Sequence, residues 1–220
     1  MKTMMNFALK KIALVFFCCF FFFTTVSAQV FDPSKIRLFW KDASGNPYLT
    51  FEQLVRQHPK LKFAMNAGMF TPQYAPVGLY VEGGKQLRKL KLLNNPKVNF
   101  GIQPQGVFCI RKNKAFIYPA NASFSIATLD YATQSGPILV IDGVVNPKLP
   151  KGQLLLRNGV GIRKDGKVYF ACKEMNFLDF ARHFIENECI MALYLDGFVS
   201  EVWTPGKQTM GNFGPMIGVY

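Results

Sequence analysis

Past residue 29 the apolar residues of this 220-residue chain come in short runs, each cut off by Gly, Pro, Asn or Asp. Short apolar runs bounded by turn formers read as strands and leave little room for long helices. Residues 37–41 read as a strand followed by the turn Ser44-Gly45-Asn46-Pro47. Residues 63–66 read as a buried strand running into Ala67-Gly68, and 77–81 as another that turns at Gly83-Gly84. Residues 107–111 and 114–118 flank Lys112-Asn113 as a hairpin. Asp142-Gly143 after 138–141, and Asp165-Gly166 between 159–163 and 167–172, predict further two-residue turns. Asp and Gly tolerate the positive φ that such turns require.

Two stretches depart from this pattern. Residues 50–58 predict a short helix, with Thr50 as N-cap, Gln53 at the capping-box position and Pro59 beyond the end. Residues 177–188 predict the main helix, capped by Asn176 with Asp179 in its first turn. Phe177, Phe180, Ala181, Phe184 and Ile185 then share one face. The wholly apolar run 190–195 that follows predicts a strand covered on both sides. The expected class is α+β, a mixed, mainly antiparallel β-sheet core with one or two packed helices.

The first 28 residues read differently. Lys2, Lys10 and Lys11 precede an apolar run over 12–23, shorter than the ~20 residues of a membrane-spanning helix. Val26-Ser27-Ala28 supplies the small residues a signal peptidase reads. The expectation is a signal peptide over 1–28, cleaved after Ala28. A single domain over 29–220 would then be secreted or periplasmic, with no stable membrane span. Bulky Phe16 and Phe17 before Cys18 and Cys19 argue against a lipidated cysteine. Of 26 Lys and Arg residues three lie in this leader, which leaves 23 against 13 Asp and Glu, a formal charge of +10. Such a charge favours anionic partners, phosphate-bearing glycans among them. No recognition-helix signature or zinc-finger spacing is present, so nucleic acid is not an expected partner. Cys109, Cys172 and Cys189 sit in apolar stretches and are expected as buried free thiols, although an exported protein can also hold a disulfide.

Polar residues at strand ends mark the candidate chemistry, because a rigid scaffold presents function at such junctions. Asp196-Gly197 ends the apolar strand 190–195 and offers a carboxylate in a turn, with Ser200 close behind. Asn66, before Gly68, can orient a sugar hydroxyl through both its donor and its acceptor. Gln134-Ser135-Gly136-Pro137 can form an anion-binding nest of backbone N–H groups. Arg157, before Asn158 and Gly159, can grip a phosphate at two points. Glu174 is the other acidic candidate, at a strand end just before the main helix. Each of these also has an ordinary structural reading as a turn or surface residue.

Taken in order, Asn66-Ala67-Gly68-Met69-Phe70, Pro76-Val77-Gly78-Leu79-Tyr80, Gln105-Gly106-Val107-Phe108, Gln134-Ser135-Gly136-Pro137, Arg157-Asn158-Gly159-Val160-Gly161 and Leu195-Asp196-Gly197 resemble the phosphodiester glycosidase family. The likeness runs over 63–220 and includes the closing Gly214-Pro215-Met216-Ile217-Gly218-Val219-Tyr220. Two positions depart from the family pattern: Gln105 stands where Asn is usual, and Phe198 where a second glycine is usual. Phe198 would narrow the pocket or stack on a sugar.

The resemblance implies hydrolysis of a sugar-1-phosphodiester at the anomeric carbon. The phosphate is already a stable anionic leaving group, so stabilising charge matters more than protonation. On this reading Asp196, Arg157, Asn66 and Glu174 are catalytic candidates. Gly68, Gln105, Gln134, Ser135, Gly136, Asn158, Gly197 and Ser200 are substrate-binding candidates. Arg157 and the Ser135-Gly136 backbone would face the phosphate, and Asp196 the oxocarbenium-like sugar. The expected partner is a phosphorylated glycan or sugar phosphodiester. No cofactor is required, and an oxygen-ligand Ca²⁺ or Mg²⁺ site at Asp196 stays open. Two other readings exist: a non-catalytic glycan-binding envelope protein using the same cleft, and a cysteine hydrolase pairing Cys172 or Cys189 with His183.

Overall fold

The computed structural model describes residues 29–220; the expected leader over 1–28 lies outside the described residues. In chain order the elements are β1 (Gln29–Phe31), β2 (Ile36–Phe39), α1 (Phe51–Gln57), β3 (Phe63–Asn66), β4 (Tyr80–Glu82), β5 (Lys85–Arg88), β6 (Gly106–Arg111), β7 (Lys114–Pro119), β8 (Tyr131–Ser135), β9 (Ile138–Ile141), β10 (Val144–Val145), β11 (Leu155–Arg163), β12 (Val168–Met175), α2 (Phe177–Glu186), β13 (Cys189–Asp196), β14 (Val202–Trp203) and β15 (Met216–Val219). The strands form three sheets, ordered β1-β12-β11-β13-β9-β10, β14-β3-β15-β2 and β5-β4-β8-β6-β7. Every pairing among them is antiparallel. The fold is α+β, as the alternation of short runs and one long amphipathic segment requires.

Local chemistry explains most boundaries. Thr50 caps α1 by accepting from the Gln53 amide, and Asn176 caps α2 by accepting from the Asp179 amide. Lys112 and Asn113 both adopt positive φ in the β6–β7 turn, as do Asp142 and Gly143 between β9 and β10. Asp165-Gly166 differs from expectation. Only Gly166 is left-handed there, and the Gly166 amide donates to Arg163 O while the Arg163 amide donates to Lys167 O. This is a three-residue loop ending in a glycine bulge. The strand expected over 77–81 shrinks to β4, because the Leu79 amide bonds the side-chain oxygen of Gln134 rather than a neighbouring strand.

The six-stranded sheet carries the molecule. One face of β13 packs Ala192 and Tyr194 with Phe177, Phe180 and Phe184 of α2. Its other face sends Leu193 and Leu195 into a core shared with Phe63, Met65 and Ile217 of the four-stranded sheet and Tyr80 and Phe108 of the five-stranded one. The expected two-sided cover therefore holds from Ala192 to Leu195, while Ile190 is left exposed. The outer face of the four-stranded sheet is closed by Phe51 and Leu54 of α1. Since all three sheets meet in one core, their strand ends are fixed relative to one another. That convergence positions the site.

Candidate functional site

The end of β3 and the end of β13 meet beside the middle of β11. The register shifts by one residue there: Asn158 pairs with Asp196 but Gly159 pairs with Tyr194, so Leu195 is an extra, bulged residue. A bulge re-aims the side chain that follows it. Tyr194 faces α2, whereas Asp196 turns toward β3 and the other sheets.

Asp196 receives two donors. The Gly197 amide donates to Oδ1 at 2.7 Å, and Asn66 Nδ2 donates to Oδ2 at 3.3 Å. The orientation of Asn66 is dictated by its other end. Its Oδ1 accepts from Asn158 Nδ2 at 2.7 Å and from the Glu201 amide at 3.2 Å, so its Nδ2 must face the carboxylate. Asn158 in turn accepts from the Asp196 amide at 2.6 Å and donates to Asn66 O at 2.9 Å. Asn66 and Asn158 are fully buried, and Asp196 is half-buried. Burial raises the Asp196 carboxyl above the usual aspartate range, and the Gly197 and Asn66 donors pull it partly back.

Neighbouring strands brace this cluster from below. The Ser135 hydroxyl donates to Leu195 O at 2.7 Å, which pins the bulge, and Thr133 Oγ1 donates to Ala67 O at 2.9 Å. Gly68 has φ +143°, and a Cβ there would lie 3.2 Å from Thr133 Oγ1. Gly197 leaves room for a specific neighbour: a Cβ on it would come within 2.4 Å of the Tyr194 hydroxyl. That hydroxyl also accepts from Asn99 Nδ2 at 3.2 Å.

The remaining expected residues lie at varied distances from the carboxylate's surroundings. Arg157 points the opposite way from Asn158, into the layer under α2. It is 2 % exposed, donates to Met175 O and Gln153 O, and stacks 3.8 Å above the Phe177 ring. Burial lowers its pKa, while contact with Tyr194 offsets part of that effect. The guanidinium is thus engaged by its own fold rather than held open for a phosphate. Gln134 accepts from the Leu79 and Lys91 amides and donates to Lys91 O, so it ties the loop after β5 to β8. Gln105 accepts from the Leu93 amide, and its Nε2 is buried without a partner. Ser135 and Gly136 are buried, and Ser135 pairs with Gly106 in the sheet, so the pair supports the site rather than forming an open nest. The Ser200 hydroxyl is buried without a partner next to the Asp196 turn. Glu174 lies within β12, exposed, opposite Leu156.

Thr133, Tyr194, Asn99 and Glu201 belong to the same network but carry no pattern that singled them out. Tyr194 could have been found as the residue two before Asp196. Glu201 acts first through its backbone, which no side-chain motif reveals.

The thiols have other surroundings. Cys109, Cys172 and Cys189 are buried and free, and burial pushes Cys172 up to about 11 and Cys189 to about 12. His183 Nε2 meets the Tyr169 hydroxyl at 2.8 Å, and the Cys189 thiol points to Asn187 O. A thiolate–imidazole pair is therefore not assembled. Among the described residues no three His, Cys, Asp or Glu side chains gather into a metal-binding group. Nor is any helix among them long and apolar enough to cross a membrane.

Comparison with known proteins bears on the family and the fold. Residues 59–212 match the family model described as phosphodiester glycosidase. The "Uncharacterized protein YigE" of Escherichia coli (strain K12) is 34% identical over 192 residues, covering 83% of this chain and 75% of its own. The catalytic domain of zebrafish N-acetylglucosamine-1-phosphodiester alpha-N-acetylglucosaminidase, auto-inhibited by its pro-peptide, superposes with a TM-score of 0.64 at 14% identity, over 86% of this chain and 73% of that one. A hypothetical protein from Synechocystis gives a TM-score of 0.56 at 13% identity, over 87% and 58% of the two chains. At those identities the solved structures speak for the fold alone. The family match and the Escherichia coli relative together establish that the chain belongs to the phosphodiester glycosidase family.

Proposed function

We propose that this chain is an exported hydrolase that cleaves a sugar-1-phosphodiester in a cell-envelope or extracellular glycan, with Asp196 as its working carboxylate. The observation that carries this reading is the double donation to Asp196 from Asn66 and Gly197, at a point where strand ends of the three sheets converge. A raised carboxyl held in a fixed orientation suits attack on, or delivery of water to, an electron-poor carbon.

In the reaction the bond between the anomeric carbon and the phosphate oxygen breaks, and the phosphomonoester leaves with the electron pair. Water supplies the oxygen that replaces it, and its proton passes to the carboxylate or to solvent. The products are a free sugar and a phosphomonoester. Asp196 contributes the negative charge that the oxocarbenium-like sugar needs. Lys207, exposed on the loop after β14, adds positive charge on the side of Cys172, the strand partner of Asn158, and the buried Ser200 hydroxyl lies beneath the Asp196 turn. Arg157 acts from beneath, holding Tyr194 against the Gly197 turn. No cofactor enters this scheme. The signal peptide over 1–28 would deliver the protein to its glycan.

Incubating the purified protein with UDP-sugars and aryl sugar-1-phosphodiesters tests the reading, with free sugar as readout. Release of sugar is the expected result. Saturable binding of these compounds without any release would instead favour a glycan-binding protein.

A further inference from the structure

The loops beside Asp196 expose apolar side chains that the fold leaves uncovered. Phe198, two residues beyond Asp196, is 90% exposed, and Val199 is 41% exposed. Leu154, Leu155 and Leu156 are 65%, 43% and 38% exposed, and Leu156 O would lie 3.7 Å from a Cβ on Gly197. Met210 is 96% exposed, and its amide is held by the carboxylate of Glu201, whose own amide bonds Asn66. Single exposed apolar residues are ordinary, but a group gathered on the loops and the start of β11 near one carboxylate is not.

The free charges on the loops of this group are lysines, while the nearby carboxylates of Glu52 and Glu201 are held by hydrogen bonds. Residues 143–164 and 203–220 contain lysine and arginine but no aspartate or glutamate. Lys151 and Lys207 are exposed, and the salt bridges among the described residues engage only Arg163 and Arg182. Lys207 lies close enough to Cys172, the strand partner of Asn158, to pull that thiol downward. The Glu201 carboxylate turns inward to the Met210 and Gly211 amides, and Glu52, from α1, is held by the Thr209 amide and hydroxyl beside Met210; Glu174 is the exposed acid opposite Leu156.

We propose that this rim docks the protein on an anionic lipid bilayer, with Phe198, Met210, Leu154 and Leu156 entering the headgroup layer and Lys151 and Lys207 meeting lipid phosphates. Apolar tips interleaved with lysines are the chemistry of an interfacial membrane contact. A soluble anionic polymer would use the lysines and leave the apolar tips in water. Docking in this orientation presents Asp196 to the membrane surface. Resting on the proposed glycosidase reading, the substrate would then be a sugar phosphodiester anchored in that surface. Docking itself does not depend on turnover.

The exported protein, beginning at Gln29, is mixed with vesicles of phosphatidylcholine alone or with one part in three phosphatidylglycerol. A Phe198→Trp variant reports locally, since Trp40 and Trp203 are buried. Its added emission is expected to shift to the blue with the anionic vesicles and not with the neutral ones. The shift should weaken as salt is raised from about 0.1 to 1 M, where the Debye length falls from ~10 to ~3 Å. A paired Phe198→Ser, Met210→Ser variant with unchanged melting temperature should lower vesicle affinity by about tenfold or more. An emission that stays unshifted with anionic vesicles overturns the proposal. So does self-association of the wild type that the serine pair abolishes, since a second copy would then be what covers the rim. Sugar release in the absence of vesicles bears on the glycosidase reading alone.

Discussion

Asp196 carries two oxygens and meets two donors, Gly197 N–H at 2.7 Å and Asn66 Nδ2 at 3.3 Å, so an amide in its place keeps the short bond through its oxygen and forfeits only the long one. Asn66 stays in place, because its oxygen is engaged by Asn158 and Glu201. Asn66→Ala removes a donor that favours the ionised carboxylate. The acid limb of the pH–rate profile should therefore move to higher pH, and an unmoved limb would detach Asn66 from the titration of Asp196. A carboxyl whose folded pKa is raised contributes stability in full below its unfolded value, near 3.8, and loses it as pH rises through the folded value. Asp196→Asn removes that dependence. The melting temperature of the variant relative to wild type should become more favourable as pH rises from about 4 toward neutrality, and parallel curves would contradict the raised carboxyl. Arg157→Lys is expected to act on stability. It forfeits the Nε donation to Met175 O and the stacking on Phe177, a loss of about 2–3 kcal/mol measurable by denaturant titration. A stable variant with a selectively raised KM for phosphodiesters would return Arg157 to the phosphate.

The helix α2 lies on β11 with almost no clearance. A Cβ on Gly161 would sit 2.5 Å from Cys189 Sγ and 2.7 Å from Phe184 Cδ1. Gly161→Ala should push α2 outward at a cost of about 1–3 kcal/mol, read as a lower unfolding midpoint. An unchanged midpoint would mean the helix is free to shift. The elements that were legible beforehand are those where local chemistry decides: both helices with their caps, the Lys112-Asn113 turn and the apolar strand before Asp196. Those that were not are decided by distant partners. β8 carries Thr133, Gln134 and Ser135 in a buried strand, a polar run that no alternation rule reads as strand. It is tolerated because each side chain bonds backbone elsewhere, at Ala67, Leu79 and Leu195. β15 contains a glycine and follows a proline, and forms because β2 and β3 flank it. The site follows the same division. Asp196 announced itself as a strand end running into Asp-Gly, but the Asn66–Asn158 bond spans 92 residues, and no local pattern couples them.

At the scale of the whole molecule, three sheets share one core, and Asp196 stands where their ends are locked together. A site so placed inherits its precision from the fold, so the carboxylate can be altered without loosening what surrounds it. The proposed export is checked apart from this by intact mass: exported material should begin at Gln29, and retention of residues 12–23 would contradict cleavage. The central claim is that Asp196 performs chemistry rather than merely closing a turn, for which Asn would serve as well. The most direct measurement is sugar release from a sugar-1-phosphodiester by wild type and Asp196→Asn, with the melting temperature of both taken at neutral pH. The account predicts a loss in kcat of about a hundredfold or more with little change in melting temperature. Full turnover by a variant of normal stability would contradict it.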